Sequence, residues 1–263
     1  SDLTKAVLIS SNTPTAWDTV GPGRGSGVDA HANMGVVYDF YKTTLGRKSW
    51  NDKDELIQNV VHDGVEPDNA SYNQVDNIMR FGDGKDVFLP LAGALDVVAH
   101  EYTHAVTFNT SALRYQTQSG ALNEAMSDIF GAIVEHAIKP DPVNNWLIAE
   151  GFVKDDKSLR DMVTPSSAKL TAQPSHMKEL VNTQQDNGGV HINSGIINKA
   201  AHLMTVGGTH PVSNVTVTNP IGFDKLAKVF YRANQRYLIA SSDFALAAKA
   251  TMEAATDLKL AQA

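Results

Sequence analysis

The segment Asp96-Val97-Val98-Ala99-His100-Glu101-Tyr102-Thr103-His104 constrains this chain more than any other stretch. It has the character of a helix. A helix turns once per about 3.6 residues, so His100 and His104, four apart, share one face. Two imidazoles placed in this way can reach one tetrahedral ion, with Glu101 beside the ion rather than on it. A catalytic zinc needs a third protein ligand and an open fourth position. The chain has no cysteine, so that ligand is His or carboxylate. Glu124 is the candidate, in Ser119-Gly120-Ala121-Leu122-Asn123-Glu124-Ala125-Met126-Ser127-Asp128. One helix, a reversal and a carboxylate on the returning helix is the simplest way to close the site. Asp128, four residues on, shares the face of Glu124 and can accept the free N–H of a zinc-bound histidine. The competing reading puts both acids on a solvated helix face. The surrounding Ala, Met, Ile and Phe argue against it, because unpaired carboxylates are rarely placed among such residues.

The rest of the chain supplies a frame for that helix. Residues before 28 are polar and irregular and end in the Gly-rich run Gly21 to Gly27. A helix is expected from about Asp29, as its cap, through Val36, Val37, Phe40 and Tyr41 to Gly46. Residues 54–95 carry short alternating strands broken by turns such as Phe81-Gly82-Asp83-Gly84. Long helical patterns follow at 93–104, about 122–138, about 193–204 (stopping at Gly207-Gly208), 222–238 and 242–260, with loops and short helical pieces over 140–185. The expected fold is α+β and two-lobed. A strand-bearing N-terminal lobe, 1–110, ends in the histidine-bearing helix, and a mainly helical lobe, 111–263, follows, with the cleft between them. The net charge is −7 and no dense Lys/Arg cluster occurs, which argues against nucleic acid and anionic lipid as partners. No apolar run approaches the roughly 20 residues of a membrane helix. A monomer is expected. The chain starts at Ser1 without a signal peptide, which reads as a processed chain.

Three motifs together resemble the thermolysin family, the neutral secreted metallopeptidases of bacteria. They are Asp96 to Val106, Ser119 to Gly131, and Asp186-Asn187-Gly188-Gly189-Val190-His191-Ile192-Asn193-Ser194-Gly195. Weaker similarity runs from about Val28 to Leu258. The resemblance implies a two-lobed zinc endopeptidase with His100, His104 and Glu124 as ligands of one Zn²⁺. It implies that His191 stabilises the transition state, oriented by Asp186, with Tyr115 as a second oxyanion donor. It further implies that Arg160 grips a substrate carbonyl. Asn69 and Ala70 would hold the substrate backbone, with Tyr72 nearby where the family often has Trp. An apolar pocket for the residue just after the cut bond maps to Phe88, Leu91, Val97, Ile148 and Leu159. From sequence context alone, Tyr115 and Arg160 read as ordinary surface residues, and each pocket residue reads equally well as plain core.

The resemblance also implies a structural Ca²⁺ held by Asp96, Glu135, Asn145, the Leu147 carbonyl and Glu150. Oxygen ligands of this kind suit that ion. Asn145 stands where the family has an Asp that bridges two ions, so one calcium is expected. Without the resemblance the three acids would read as a wet surface. Compared with the family, the chain begins near the first helix of the catalytic lobe and stops soon after Ala255-Thr256-Asp257-Leu258.

The reading that follows is a secreted endopeptidase acting on peptides and proteins, with Glu101 as general base. The alternative is an impaired or trimmed zinc-binding relative that serves as a binding module. Retention of Glu101 and His191, neither needed to hold zinc, weighs against that alternative.

Overall fold

The computed structural model describes residues 6–7, 24–155 and 157–260. The expected irregular stretch before residue 24 lies, apart from residues 6–7, outside these residues. Helix α1 spans Arg24–Leu45. It begins five residues before the expected start, so Asp29 lies inside it rather than capping it. Three short strands follow: β1 (Gln58–Val61), β2 (Ala70–Asn73) and β3 (Ile78–Phe81). They form one sheet in the order β1-β3-β2, with β1 parallel and β2 antiparallel to β3. The expected alternation fails in β3, where Ile78, Met79 and Phe81 are all buried. β3 is the central strand and buries apolar side chains on both faces, Ile78 on one and Met79 and Phe81 on the other, with Arg80 half-buried beside Asp63.

Helix α2 (Leu95–Phe108) and helix α3 (Thr117–Ile138) form the centre of the molecule. Every residue of α3 from Ser119 to Val134 is buried. Such a helix is apolar nearly all round, which is the pattern of one enclosed on all sides. Gly131 permits its close crossing with α2, since a Cβ there would lie 2.8 Å from the Asp96 carbonyl oxygen. On the other side of α2, Tyr41 of α1 hydrogen-bonds Thr103 at 2.8 Å and packs its ring 5.0 Å from Tyr102 and 5.5 Å from Phe130. One hydrophobic cluster thus runs without a break from α1 and the sheet through α2 and α3 into the C-terminal helices.

Helix α4 (Asp186–Val206) opens with a left-handed turn ahead of the stretch its apolar pattern indicates. Its first turn is not right-handed: Asp186, Asn187, Gly188 and Gly189 all have φ between 50° and 87°. It ends where expected, at Gly207 with φ 81°. α5 (Gly222–Arg236) and α6 (Phe244–Asp257) complete the helical half. Two small ladders were not legible in the sequence: β4 (Leu147–Ile148) with β5 (Arg160–Asp161), and β6 (Gly208–Thr209) with β7 (Thr216–Val217). Among the described residues no helix is long and apolar enough to cross a membrane.

Candidate active site

His100 and His104 project from one face of α2, and their Nε2 atoms stand 3.0 Å apart. Glu124 of α3 is fully buried and closes the triangle. Its Oε1 lies 3.3 Å from His104 Nε2 and its Oε2 lies 3.6 Å from His100 Nε2. A tetrahedral zinc with bonds of about 2.0–2.2 Å sets its donor atoms about 3.3–3.5 Å apart. The three separations here, 3.0, 3.3 and 3.6 Å, lie within about 0.3 Å of that spacing. Both Nδ1 atoms are turned away onto acceptors. His104 Nδ1 is 2.8 Å from Asn123 Oδ1, and His100 Nδ1 is 2.9 Å from Asp128 Oδ1, close but off the straight line of its N–H. The facing Nε2 atoms therefore need a cation between them. A proton is one way to meet that need. Burial opposes it, but the Glu124 hydrogen bond and charge win and push His104 up to about 9. A divalent metal ion meets the same need with the same donors, so the residues fit zinc.

The outer layer is built from three other elements. Asp128, one turn along α3 from Glu124, pairs with Arg160 at 2.7 Å and accepts from Asn198 of α4 at 2.8 Å. Arg160 also reaches Glu124 Oε2 at 3.2 Å. It is 5% exposed, so the surface reading of this residue is overturned. The reason lies in the β4–β5 ladder, which turns Arg160 inward opposite Ile148. Tyr115 keeps 41% exposure, and its hydroxyl donates to Glu124 Oε1 and sits 2.9 Å from His191 Nε2. Burial and the Glu124 charge hold that hydroxyl well above its ordinary range, so it stays protonated and able to donate.

His191 reaches the cleft because of the left-handed turn at the start of α4. The turn folds the Asp186 carboxylate back so that it accepts both the His191 backbone N–H at 2.8 Å and the ring Nδ1 at 2.5 Å. Gly120 lets this turn approach α3, since a Cβ there would lie 2.4 Å from Val190 Cγ1.

Glu101 is buried and lines one cleft of about 1000 Å³ together with His100, His104, Glu124, Tyr115, Arg160 and His191. Asn69, Ala70 and Tyr72 line the same cleft from β2, an edge strand. Phe88, Leu91, Val97, Ile148 and Leu159 line it too. All of these but Ile148 belong to a second, smaller apolar cluster, separate from the main core, and that departs from a plain core reading.

A second acidic group lies behind the first. Asp96, Glu135 and Glu150 bring carboxylate oxygens within 4.8 Å of one another. Asp96 is only 2% exposed, so a wet surface does not describe it. Burial and the Glu135 charge push it up to about 7, and burial with the Asp96 and Glu135 charges pushes Glu150 up to about 9. Glu150 Oε2 is buried without a hydrogen-bond partner. Asn145 departs from its expected place as an oxygen ligand. Its Oδ1 accepts the Asp141 N–H at 2.5 Å, so its amide nitrogen faces Glu135 Oε2 at 3.0 Å. Leu147 opens β4 just beyond it.

With this geometry in view, the comparisons with known proteins are decisive. The profile of the thermolysin metallopeptidase catalytic domain matches residues 3–108, and that of the thermolysin metallopeptidase alpha-helical domain matches residues 111–263. The chain belongs to the thermolysin family. It is 46% identical over 236 residues to thermolysin of Alicyclobacillus acidocaldarius subsp. acidocaldarius, covering 88% of this chain and 41% of that protein. It is 42% identical over 236 residues to neutral protease B of Bacillus subtilis strain 168, again covering 88% and 41%. A solved structure of the precursor of protealysin, a metalloproteinase from Serratia proteamaculans, superposes with a TM-score of 0.78 at 32% identity, covering 93% of this chain and 77% of that one. The chain thus spans about two-fifths of the length of these curated relatives.

Sequence reasoning missed several supports in this thermolysin-family site. Asn123, beside Glu124, orients His104 and donates to the Leu113 carbonyl at 3.2 Å. Asn198 acts across 70 positions on Asp128. Asp68 accepts four backbone N–H groups, from Lys85 to Phe88, and so ties the pocket wall to Asn69 and Ala70. Only the neighbourhood of Asn123 to Glu124 gave a local signal.

Proposed function

We propose that this chain is a zinc endopeptidase that hydrolyses peptide bonds in peptides and proteins. The observation that carries the reading is the triangle of His100, His104 and Glu124, spaced for a tetrahedral ion, with His104 Nδ1 on the Asn123 oxygen and His100 Nδ1 2.9 Å from the Asp128 carboxylate. A bound zinc supplies Lewis acidity, which makes water a nucleophile near neutral pH and polarises the substrate carbonyl. Glu101, beside the histidines but outside the triangle, takes the proton of the attacking water and passes it to the leaving amine. His191 and Tyr115 donate hydrogen bonds to the oxygen that becomes negative, and Asp186 fixes the ring of His191 for that task. Asp128 orients His100, and Arg160 offers a guanidinium to a substrate carbonyl at the cleft wall.

The free edge of β2 suits an extended substrate backbone, held at Asn69 and Ala70 with Tyr72 alongside. The apolar pocket of Phe88, Leu91, Val97, Ile148 and Leu159 favours Leu, Phe, Ile or Val just after the cut bond. Asp96, Glu135 and Glu150 offer hard oxygen ligands for one structural calcium. The raised proton affinities of Asp96 and Glu150 and the unpartnered Glu150 oxygen support a missing positive charge there. The family resemblance supports secretion, and a monomer acting alone suffices for this site, whose residues all come from one chain.

The binding-module alternative gains no support from the cleft, because Glu101 and His191 both line it and neither is needed to hold the ion. The test is hydrolysis of a peptide library by the purified chain, before and after removal of zinc with a chelator. Cleavage that disappears with the metal and returns when zinc is restored is the expected result. A zinc-loaded protein that leaves every peptide intact would overturn the assignment.

A further inference from the structure

The motif from Asp186 to Gly195 is not used up by Asp186 and His191. Its last two residues, Ser194 and Gly195, form a seat for a side chain from a distant loop. Gln173 is 3% exposed and packs against the bare face of Gly195. A Cβ added at position 195 would lie 2.6 Å from Gln173 Cβ and 2.7 Å from the Pro174 carbonyl oxygen. From this seat Gln173 Nε2 donates to the His191 carbonyl at 2.6 Å and to Ser194 Oγ at 2.8 Å. The Ser194 hydroxyl donates to the same carbonyl at 3.2 Å. The Gln173 amide cannot be turned over, since its oxygen would then face the carbonyl oxygen of His191. Its Oε1 is left buried without a partner, an arrangement that opposes folding and asks for a reason.

The geometry points to Gln173 as a positioning residue for His191. Asp186 accepts from the backbone N–H and from the ring of His191, while Gln173 and Ser194 donate to its carbonyl. The residue is thus clamped on both sides of its Cα. The helix alone does not do this. Residues 186–189 are left-handed, so the right-handed part of α4 begins only at Val190, one residue before His191. A first helical turn frays unless other groups tie it down. Without Gln173 the ring keeps its bond to Asp186, but the whole residue can shift against Tyr115 and the metal triangle. Such a shift weakens a hydrogen bond to an oxygen that turns negative only in the transition state. It therefore lowers kcat and leaves KM nearly alone. The inference rests on the endopeptidase reading, in which His191 is that donor.

The test is a double-mutant cycle on the zinc-loaded chain. Gln173→Met keeps the length of the side chain and removes both donors. Its kcat is expected to fall about tenfold, with KM changed by less than about twofold and zinc content full. In a His191→Ala background the same substitution is expected to change nothing, because no donor is left to position. A merely structural role would lower kcat again in that background, and this result would overturn the proposal, as would a wild-type kcat in Gln173→Met. Ser194→Ala removes the longer of the two bonds to the carbonyl. It is expected to give a smaller fall that also vanishes with His191→Ala, and it decides the matter if Gln173→Met does not fold. If the wild type cuts no peptide, the endopeptidase reading has failed, and the clamp is read by nuclear magnetic resonance instead. The His191 Nδ1–H signal, identified by its loss in His191→Ala, is expected to be sharp in the wild type and broadened in Gln173→Met or Ser194→Ala. Equal signals would refute the clamp.

Discussion

Asp128 holds Arg160 at 2.7 Å where both side chains are shut away from water, and the same arginine reaches Glu124 at 3.2 Å. Two buried carboxylates one helical turn apart would otherwise repel each other. Arg160→Ala removes the guanidinium that both carboxylates share, leaving Glu124 with only its histidines to supply positive charge. Breaking a buried ion pair from one side costs about 3–5 kcal/mol. Urea denaturation of the zinc-free protein is expected to show a loss of that order. A loss below about 1 kcal/mol, the range of an exposed pair, would mean that water already reaches these charges.

Glu101 is buried in the cleft beside the histidines but takes no part in the ligand triangle. Glu101→Gln should keep a full complement of zinc and lose at least ~10²-fold in turnover, the lower end of what acid–base catalysis contributes. Elemental analysis of the variant, run beside a peptide assay, checks both halves of the statement.

His191→Ala is expected to lower kcat by about 10²–10³-fold with little change in zinc affinity, since an oxyanion donor acts only in the transition state. Asp186→Asn should act in the same direction but less strongly, because the ring remains while its orientation loosens. Zinc loss in His191→Ala would make His191 a ligand, and its Nε2 does lie 3.5 Å from Glu124 Oε1.

The calcium proposed for the second acidic group would bind in a pH-dependent way. Burial and neighbouring charge raise Asp96 to about 7 and Glu150 to about 9, above ordinary carboxylates. The folded, cation-free chain therefore binds more protons than the unfolded one between about pH 4 and 9. Its stability falls as pH rises through that window. A calcium ion held by these acids would have to displace those protons, so tighter binding is expected as pH rises. Excess calcium at 100 times its dissociation constant adds about 2.7 kcal/mol if it binds only the folded form. Melting curves should show a larger calcium-induced rise in Tm at pH 8 than at pH 6. An equal rise at both would dissociate the cation from these acids.

His202 titrates in the opposite sense. Burial and the nearby Lys199 charge lower it to about 4, and its ring stands edge-on to Trp146 at 5.1 Å. An ordinary histidine titrates near 6.5, so the unfolded chain takes up this proton first. The stability that His202 contributes is present above about pH 6.5 and is lost as pH falls towards 4. His202→Phe should flatten the slope of Tm against pH over that range.

Local chemistry determined the parts of this protein that depend on neighbours in the chain. The spacing of His100 and His104 fixes a shared helix face whatever surrounds it, because helical periodicity is a backbone property. Glu124 and Asp128 were legible for the same reason, as acids one turn apart on a helix too apolar to leave them unpartnered. The stop at Gly207 was legible because few side chains tolerate its φ of 81°. The thermolysin-family motifs then carried His191, and also Tyr115 and Arg160, which sequence context alone would have left on the surface.

Tertiary structure decided what distant parts of the chain supply to one another. Helix starts came out five residues early at α1 and α3, because apolar patterning marks where packing begins rather than where hydrogen bonding does, while at α4 a left-handed turn of residues 186–189 precedes the right-handed helix. Arg160 is buried only because β4 and β5 pair, and two-residue strands leave no periodic trace. Asn145 turns its amide nitrogen to Glu135 because the Asp141 backbone N–H claims its oxygen. The pairing of Tyr72 with Phe108 exists only because the edge of the sheet and the end of α2 meet across the cleft, and no rule of local spacing links positions 36 residues apart.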